Sequence, residues 1–91
     1  MYWIVCYDIP DDKRRTKVHK LLKGYGRRAQ YSIFECEITL DKLKRLEKQL
    51  QRLINEQEDD VRIYPLNQAD LKRVRFLGIA LLHRSQGHYL V

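Results

Sequence analysis

Residues 2–9 (YWIVCYDI) leave the chain few options. They are rich in β-branched and aromatic residues and are apolar on both alternating faces until Asp8. That is the pattern of a central strand covered on both sides. Pro10 stops the strand, and Asp11 or Asp12 is placed to cap a following helix. Such a strand needs neighbours along both edges and a layer over each face. A chain of 91 residues has little left with which to supply them.

Val18, Leu21, Leu22 and Tyr25 recur at helical spacing and predict a helix over residues 11–24. Gly24 and Gly26 bracket its end, where a left-handed cap is often found. Residues 29–38 (AQYSIFECEI) alternate as a strand. Gln30, Ser32, Phe34, Cys36 and Ile38 take one face, and Tyr31, Ile33, Glu35 and Glu37 take the other. Asp41 is expected to cap a second helix carrying Leu43, Leu46, Leu50, Leu53 and Ile54 on one stripe. An acidic turn follows at Glu58, Asp59 and Asp60. Residues 61–66 read as a strand with Pro65 near its end, and residues 72–82 as a further strand region.

The order is strand, helix, strand, helix, strand, strand in a single domain over residues 1–91. It places the chain in the α+β class, with an antiparallel sheet and two helices on one face. A full ferredoxin-like βαββαβ module has two strands between its helices, which requires residues 29–40 to bend into two. Two helices cover one face of the sheet and nothing remains for the other. The simplest resolution is a homodimer packed sheet to sheet, with residues 83–91 and their apolar end (HYLV) reaching the partner protomer.

Charge narrows the partners. The formal net charge is +6, which favours a polyanion, either nucleic acid or an acidic membrane surface. Between residues 13 and 34 stand Lys13, Arg14, Arg15, Lys17, Lys20, Lys23, Arg27 and Arg28, without one Asp or Glu. A one-sign run is what tracking phosphates requires, although a solvated helix face can look the same. Cys6 and Cys36 form no disulfide framework or zinc spacing, as expected of reduced thiols in a cytoplasmic protein. His19, His83 and His88 lack zinc-site spacing and read as surface or structural residues. No apolar run approaches the roughly 20 residues of a membrane span. No Gly-rich phosphate loop, nucleophile elbow or nucleotide fingerprint is present. The aromatic platform motif of RNA-recognition domains is also absent, which counts against an unrelated RNA binder of similar fold.

Asp8 shares a strand face with Ile4 and Cys6. If that face forms the dimer, two Asp8 carboxylates approach across the two-fold axis and need a proton or a cation between them. Magnesium, or manganese, suits carboxylate oxygens and water. The plainer reading of Asp8 is a turn residue before Pro10. Arg28, Gln30, Ser32 and Phe34 lie in register along one strand face and can orient a phosphate or a water, with Phe34 otherwise a core residue.

Tyr7-Asp8-Ile9, the Asp11-Asp12 and Arg15 region, Tyr25-Gly26, Arg28-x-Gln30-x-Ser32-x-Phe34-Glu35 and Arg62-Ile63-Tyr64-x-Leu66 occur in an order that resembles CRISPR-associated protein two. This is the small adaptation protein found beside the CRISPR integrase. The resemblance runs from about residue 2 to residue 66. It implies a ferredoxin-like fold, and therefore two strands within residues 29–40, and homodimers that exchange C-terminal strands. It implies a metal-dependent endonuclease acting on RNA or double-stranded DNA, with Asp8 of both protomers on the metal. Tyr7, Arg15, Arg28 and Phe34 match positions linked with activity. Lys13, Arg14, Arg15, Lys17, Arg27 and Arg28 are the expected nucleic-acid contacts. The family's other role is non-catalytic, a scaffold that holds DNA between two integrase dimers.

Overall fold

A computed structural model describes residues 1–78. Its elements are β1 (Tyr2–Asp8), α1 (Asp12–Lys23), β2 (Arg27–Gln30), β3 (Ile33–Glu37), α2 (Leu40–Leu53), β4 (Asp60–Leu66) and a short α3 (Gln68–Arg73). The four strands form one sheet in the order β2-β3-β1-β4, and every pairing is antiparallel. The crossover β1-α1-β2 straddles β3, and β3-α2-β4 straddles β1. This is the ferredoxin-like arrangement of two interleaved βαβ units.

The long strand expected at residues 29–38 is two strands. Tyr31 and Ser32 form the turn between them, and the register slips between Arg28 and Gln30. The slip starts β2 two residues earlier than expected, at Arg27.

Local signals explain the helices. The Asp11 side chain caps α1, accepting from the Arg14 amide at 2.9 Å. α2 is capped by Thr39 and not by Asp41; Thr39 Oγ1 accepts from the Lys42 amide at 3.2 Å. Asp41 sits in the first turn, where its charge faces the positive end of the helix dipole. No left-handed cap closes α1, because Gly24 stays right-handed at φ −79°. The strand expected at residues 72–82 begins instead as the end of α3. Asn67 caps that helix, accepting from the Asp70 amide at 2.8 Å, and Gln68, Ala69, Leu71, Lys72 and Arg73 all favour helix over strand. The rest of that region from residue 79, the tail at 83–91, and His83 and His88 lie outside the described residues.

The core lies between the helices and one face of the sheet. Trp3, Val5, Tyr7 and Ile9 are buried with Phe34, Cys36, Val18, Leu22, Leu43, Leu46 and Leu50. Trp3 Nε1 donates to the Ile38 carbonyl at 3.2 Å, which satisfies the indole within this layer. Val61 and Ile63 pack against the same cluster from β4. The alternate residues of β1, Tyr2, Ile4 and Cys6, are only partly covered, and Asp8 is exposed. Pro65 is tolerated because β4 is an edge strand among the described residues.

Gly26 is required by close approach and not by its backbone angle. A Cβ there would run into the Glu35 carbonyl oxygen and come within 2.5 Å of Cys36 Sγ, where β2 begins against β3. Gly24 has only the Leu21 carbonyl oxygen nearby, at 3.4 Å. Gly26→Ala should therefore lower the unfolding free energy by about 1–3 kcal/mol in urea titration. Gly24→Ala should be neutral or mildly stabilising. Equal effects at the two positions would contradict this packing.

Candidate functional site

Tyr7 and Asp8 are consecutive in a strand and must point to opposite faces. The residues singled out in the sequence therefore divide between two places.

The first lies under α1. Tyr7, Arg15, Thr16, His19, Arg28 and Ser32, with Tyr31, line a cavity of about 340 Å³ between the end of β1, α1 and the β2–β3 turn. The Tyr7 hydroxyl donates to the Tyr31 carbonyl at 3.2 Å and lies 3.4 Å from His19 Nδ1. Phe34 sits beneath them, wholly buried. Its ring stacks 6.4 Å from that of Tyr7 and meets the edge of His19 at 5.3 Å. Phe34 thus holds Tyr7 and His19 in place and does not itself face a ligand. Arg28 places its guanidinium 5.0 Å from the Tyr31 ring centre, and its Nε donates to the Gln30 carbonyl at 3.4 Å. Gln30 contributes only that carbonyl, because the register slip takes its side chain out of the face it was expected to share. Arg15 Nη1 donates to the Ile9 carbonyl at 2.9 Å and Nη2 pairs with Asp12, so this arginine closes the junction between β1 and α1.

Burial raises the Tyr7 hydroxyl above its ordinary value, with Arg28 and Arg15 opposing. Burial first, then Arg28 and Lys23, lower the His19 imidazole below its ordinary value. The sequence reads His19 as a surface or structural residue, and its contacts with Tyr7 and Phe34 give it a structural place. The signal that locates it is its place one turn after Arg15 on the side of α1 that faces the sheet.

The second place is the open face of the sheet. Asp8 stands there with no bonding partner among the described residues. Asp60 is directly opposite on β4, and Arg62 Nε pairs with Asp60 at 2.9 Å. Sequence reading had placed Asp60 in a turn; its register against Asp8 follows from β4 beginning one residue early. No group of three or more His, Cys, Asp or Glu side chains gathers to hold a metal among the described residues. One Asp8 per chain fits magnesium only as a shared ligand, with a second copy, water and substrate phosphate completing the set.

The cations also divide. Lys13 and Lys17 are exposed on α1. Arg14 is turned inward: Nε donates to Asp59 at 2.9 Å and Nη2 to Glu58 at 3.4 Å, tying α1 to the acidic turn. This pairing holds the Asp59 carboxyl below the usual carboxylate range. Arg28 belongs to the cavity, whereas Arg27 lies opposite Glu35 on the other face. Burial pushes both thiols up, Cys36 to about 11, which disfavours the thiolate in each.

Residues 1–74 match the family model described as CRISPR associated protein Cas2. A CRISPR-associated endoribonuclease Cas2 from a Synechocystis species is 42% identical over 89 residues, 98% of this chain and 97% of the relative. The similarity therefore continues past residue 66, where the sequence motifs end. Crystalline Cas2 from Streptococcus pyogenes superposes with a TM-score of 0.76 at 35% identity, covering 86% of this chain and all of that one. A chain of a partial Cas6-RT-Cas1–Cas2 complex gives 0.76 at 34% identity, covering 84% and 89%. No helix among the described residues is long and apolar enough to cross a membrane.

Among the described residues, Glu35 is the titrating group that this fold moves into the neutral range by a large amount. It is half-buried on the open face opposite Ile4, and burial pushes its carboxyl up to about 7, against the pull of Arg27. The folded state therefore holds this proton more tightly than the unfolded chain. Stability from this group is full below about pH 4.5, falls as pH rises toward 7, and levels off above it. Glu35→Gln should abolish that fall and leave the variant about 1–2 kcal/mol more stable at pH 8, after allowance for partial solvation. Urea unfolding at pH 5 and 8 measures the difference. The same pH dependence in both proteins would exclude Glu35 as its source.

Proposed function

We propose a dimeric, metal-dependent endonuclease of CRISPR adaptation, on the premise that the chain belongs to the CRISPR associated protein Cas2 family. The observation that carries the reading is Asp8, an exposed carboxylate without a side-chain partner among the described residues, at the end of the central strand on the sheet face opposite the core. The partly covered Ile4, Cys6, Ile33 and Leu66, with Tyr64, give that face enough apolar surface to favour a second copy. A two-fold contact there brings two Asp8 side chains to one site, where like charges need a cation.

The Asp8 carboxylates of two copies would hold magnesium or manganese, which would supply Lewis acidity toward a phosphodiester of RNA or DNA. The chain's own residues do the positioning. Arg15 holds the Ile9 and Pro10 carbonyls, at 2.9 and 3.4 Å, and so fixes the strand end that carries Asp8. Arg62 pairs with Asp60 two residues along the same strand, and Asp60 stands across the ladder from Asp8, so the pair lowers the repulsion Asp8 would meet from within its own chain. Tyr7 and Phe34 act from the other side of the sheet by anchoring β1 to the core. Because Asp8 is exposed, Asp8→Asn should fold and keep the dimeric mass in light scattering. It should lower metal-dependent cleavage of RNA or duplex DNA by about 100-fold or more. Full cleavage by the variant, in a preparation free of other nucleases, would refute this reading.

The structural likeness to a chain of a Cas1–Cas2 complex, together with the exposed cations of α1, favours a second role as a DNA-holding scaffold beside the integrase. Lys13 and Lys17 are the residues with which to test it, because reversing Arg14 would break its clamp on Asp59. Lys13→Glu with Lys17→Glu should weaken duplex binding and reduce the salt slope by about 2 if each lysine meets one phosphate. An unchanged slope in filter binding would count against a scaffold surface on this helix.

A further inference from the structure

The cavity under α1 is separate from the open face and has no part in holding a metal. Its walls combine three groups suited to one ligand. Arg15, Arg28 and His19 all line it, and Arg28 is near enough to His19 to act on its charge. Tyr31 has 87% of its surface exposed; Arg28 lies over one face of its ring, which leaves the other face for a flat ring. The volume of about 340 Å³ is at the lower end of small-ligand sites and suits one nucleotide better than a run of backbone.

We propose that this cavity binds a nucleoside 5′-monophosphate, free or as the 5′ end of a strand, with the phosphate between Arg28, Arg15 and His19 and the base stacked on Tyr31. Guanidinium forks match phosphate oxygens, and base–aromatic stacking tolerates any base. Arg15 contributes less than Arg28, because Asp12 and the Ile9 carbonyl already occupy part of its fork. His19 faces the Tyr7 hydroxyl from β1 and Phe34 from β3, and feels Arg28 from β2 and Lys23 from its own helix. No carboxylate of the lining opposes these cations; the nearest acid placed by the contacts is Asp12, paired to Arg15 outside the lining. Burial is the main cause that lowers the His19 imidazole, and Arg28 and Lys23 add to it; an arriving phosphate offsets the part due to the cations and so favours the protonated ring. The His19 part of the affinity is therefore largest in acid and lost as pH rises. The ligand's own second ionisation near pH 6 works in the opposite direction. The two are separated by comparing the pH profile with that of His19→Gln, which lacks the falling part.

The test titrates the full chain with adenosine 5′-monophosphate, inorganic phosphate and adenosine, following backbone amide shifts by NMR. The monophosphate should bind more tightly than phosphate, and adenosine should not saturate up to about 10 mM. Arg28→Ala should weaken the monophosphate by about 10-fold or more. Tyr31→Ala should bring it down to the level of phosphate, and His19→Gln should flatten the acid side of the profile. A 5′-phosphorylated pentanucleotide that competes where its 5′-hydroxyl form does not assigns the site to strand ends; competition by neither assigns it to the free nucleotide. Asp8→Asn should leave the monophosphate affinity unchanged, which separates this site from the cleavage reading. Failure of the monophosphate to bind, equal binding of adenosine, or indifference to both Arg28→Ala and Tyr31→Ala would overturn the proposal.

Discussion

The strict alternation of side chains along β1 governs the rest of the molecule. Being central, β1 is hydrogen-bonded on both edges, so its side chains can leave only through the two faces. Trp3, Val5, Tyr7 and Ile9 go under the helices and form the middle of the core. Tyr2, Ile4, Cys6 and Asp8 go the other way. A shift of one residue would bury Asp8 and expose Tyr7, so the register with β3 and β4 is fixed by the core as firmly as by its hydrogen bonds. The same constraint separates the two residues: Tyr7 opens onto the cavity beneath α1, and its neighbour Asp8 onto the opposite face of the sheet.

Much of this was legible from residue types. The apolar run of β1 marked a central strand, and the leucine stripe of α2 marked its buried side, because burial there demands a fixed period. What the sequence concealed depended on the third dimension. The turn at Tyr31 and Ser32 carries no Gly, Pro or Asn, so composition alone showed one long strand; the family resemblance was needed to divide it. α3 was hidden because six residues are too few to show a helical period, while its cap, Asn67, resembles any loop residue. His19 was hidden because its company consists of Tyr7, Phe34 and Arg28, from three different strands. Phe34 was legible as a core residue, and the matching motif gained its meaning from what Phe34 supports.

The basic run from Lys13 to Arg28 shows why charge on paper is not charge on a surface. Successive helix residues are turned by about 100° and successive strand residues by about 180°, so eight cations close in sequence cannot share one direction. Arg14 faces the acidic turn, where Asp59 also accepts the Asn55 amide at 2.8 Å; its charge stabilises that turn and is largely neutralised by it. Arg15 bonds the strand end, Arg28 turns to the cavity, and Arg27 faces Glu35 across the ladder. Lys13, Lys17, Lys20 and Lys23 are the exposed lysines of α1, and the first three are spaced to share one side of it. A phosphate backbone crossing that helix therefore meets a narrower positive stripe than the net charge of +6 implies. The arginines of the run act within the fold or line the cavity beneath α1, where direction matters more than sum.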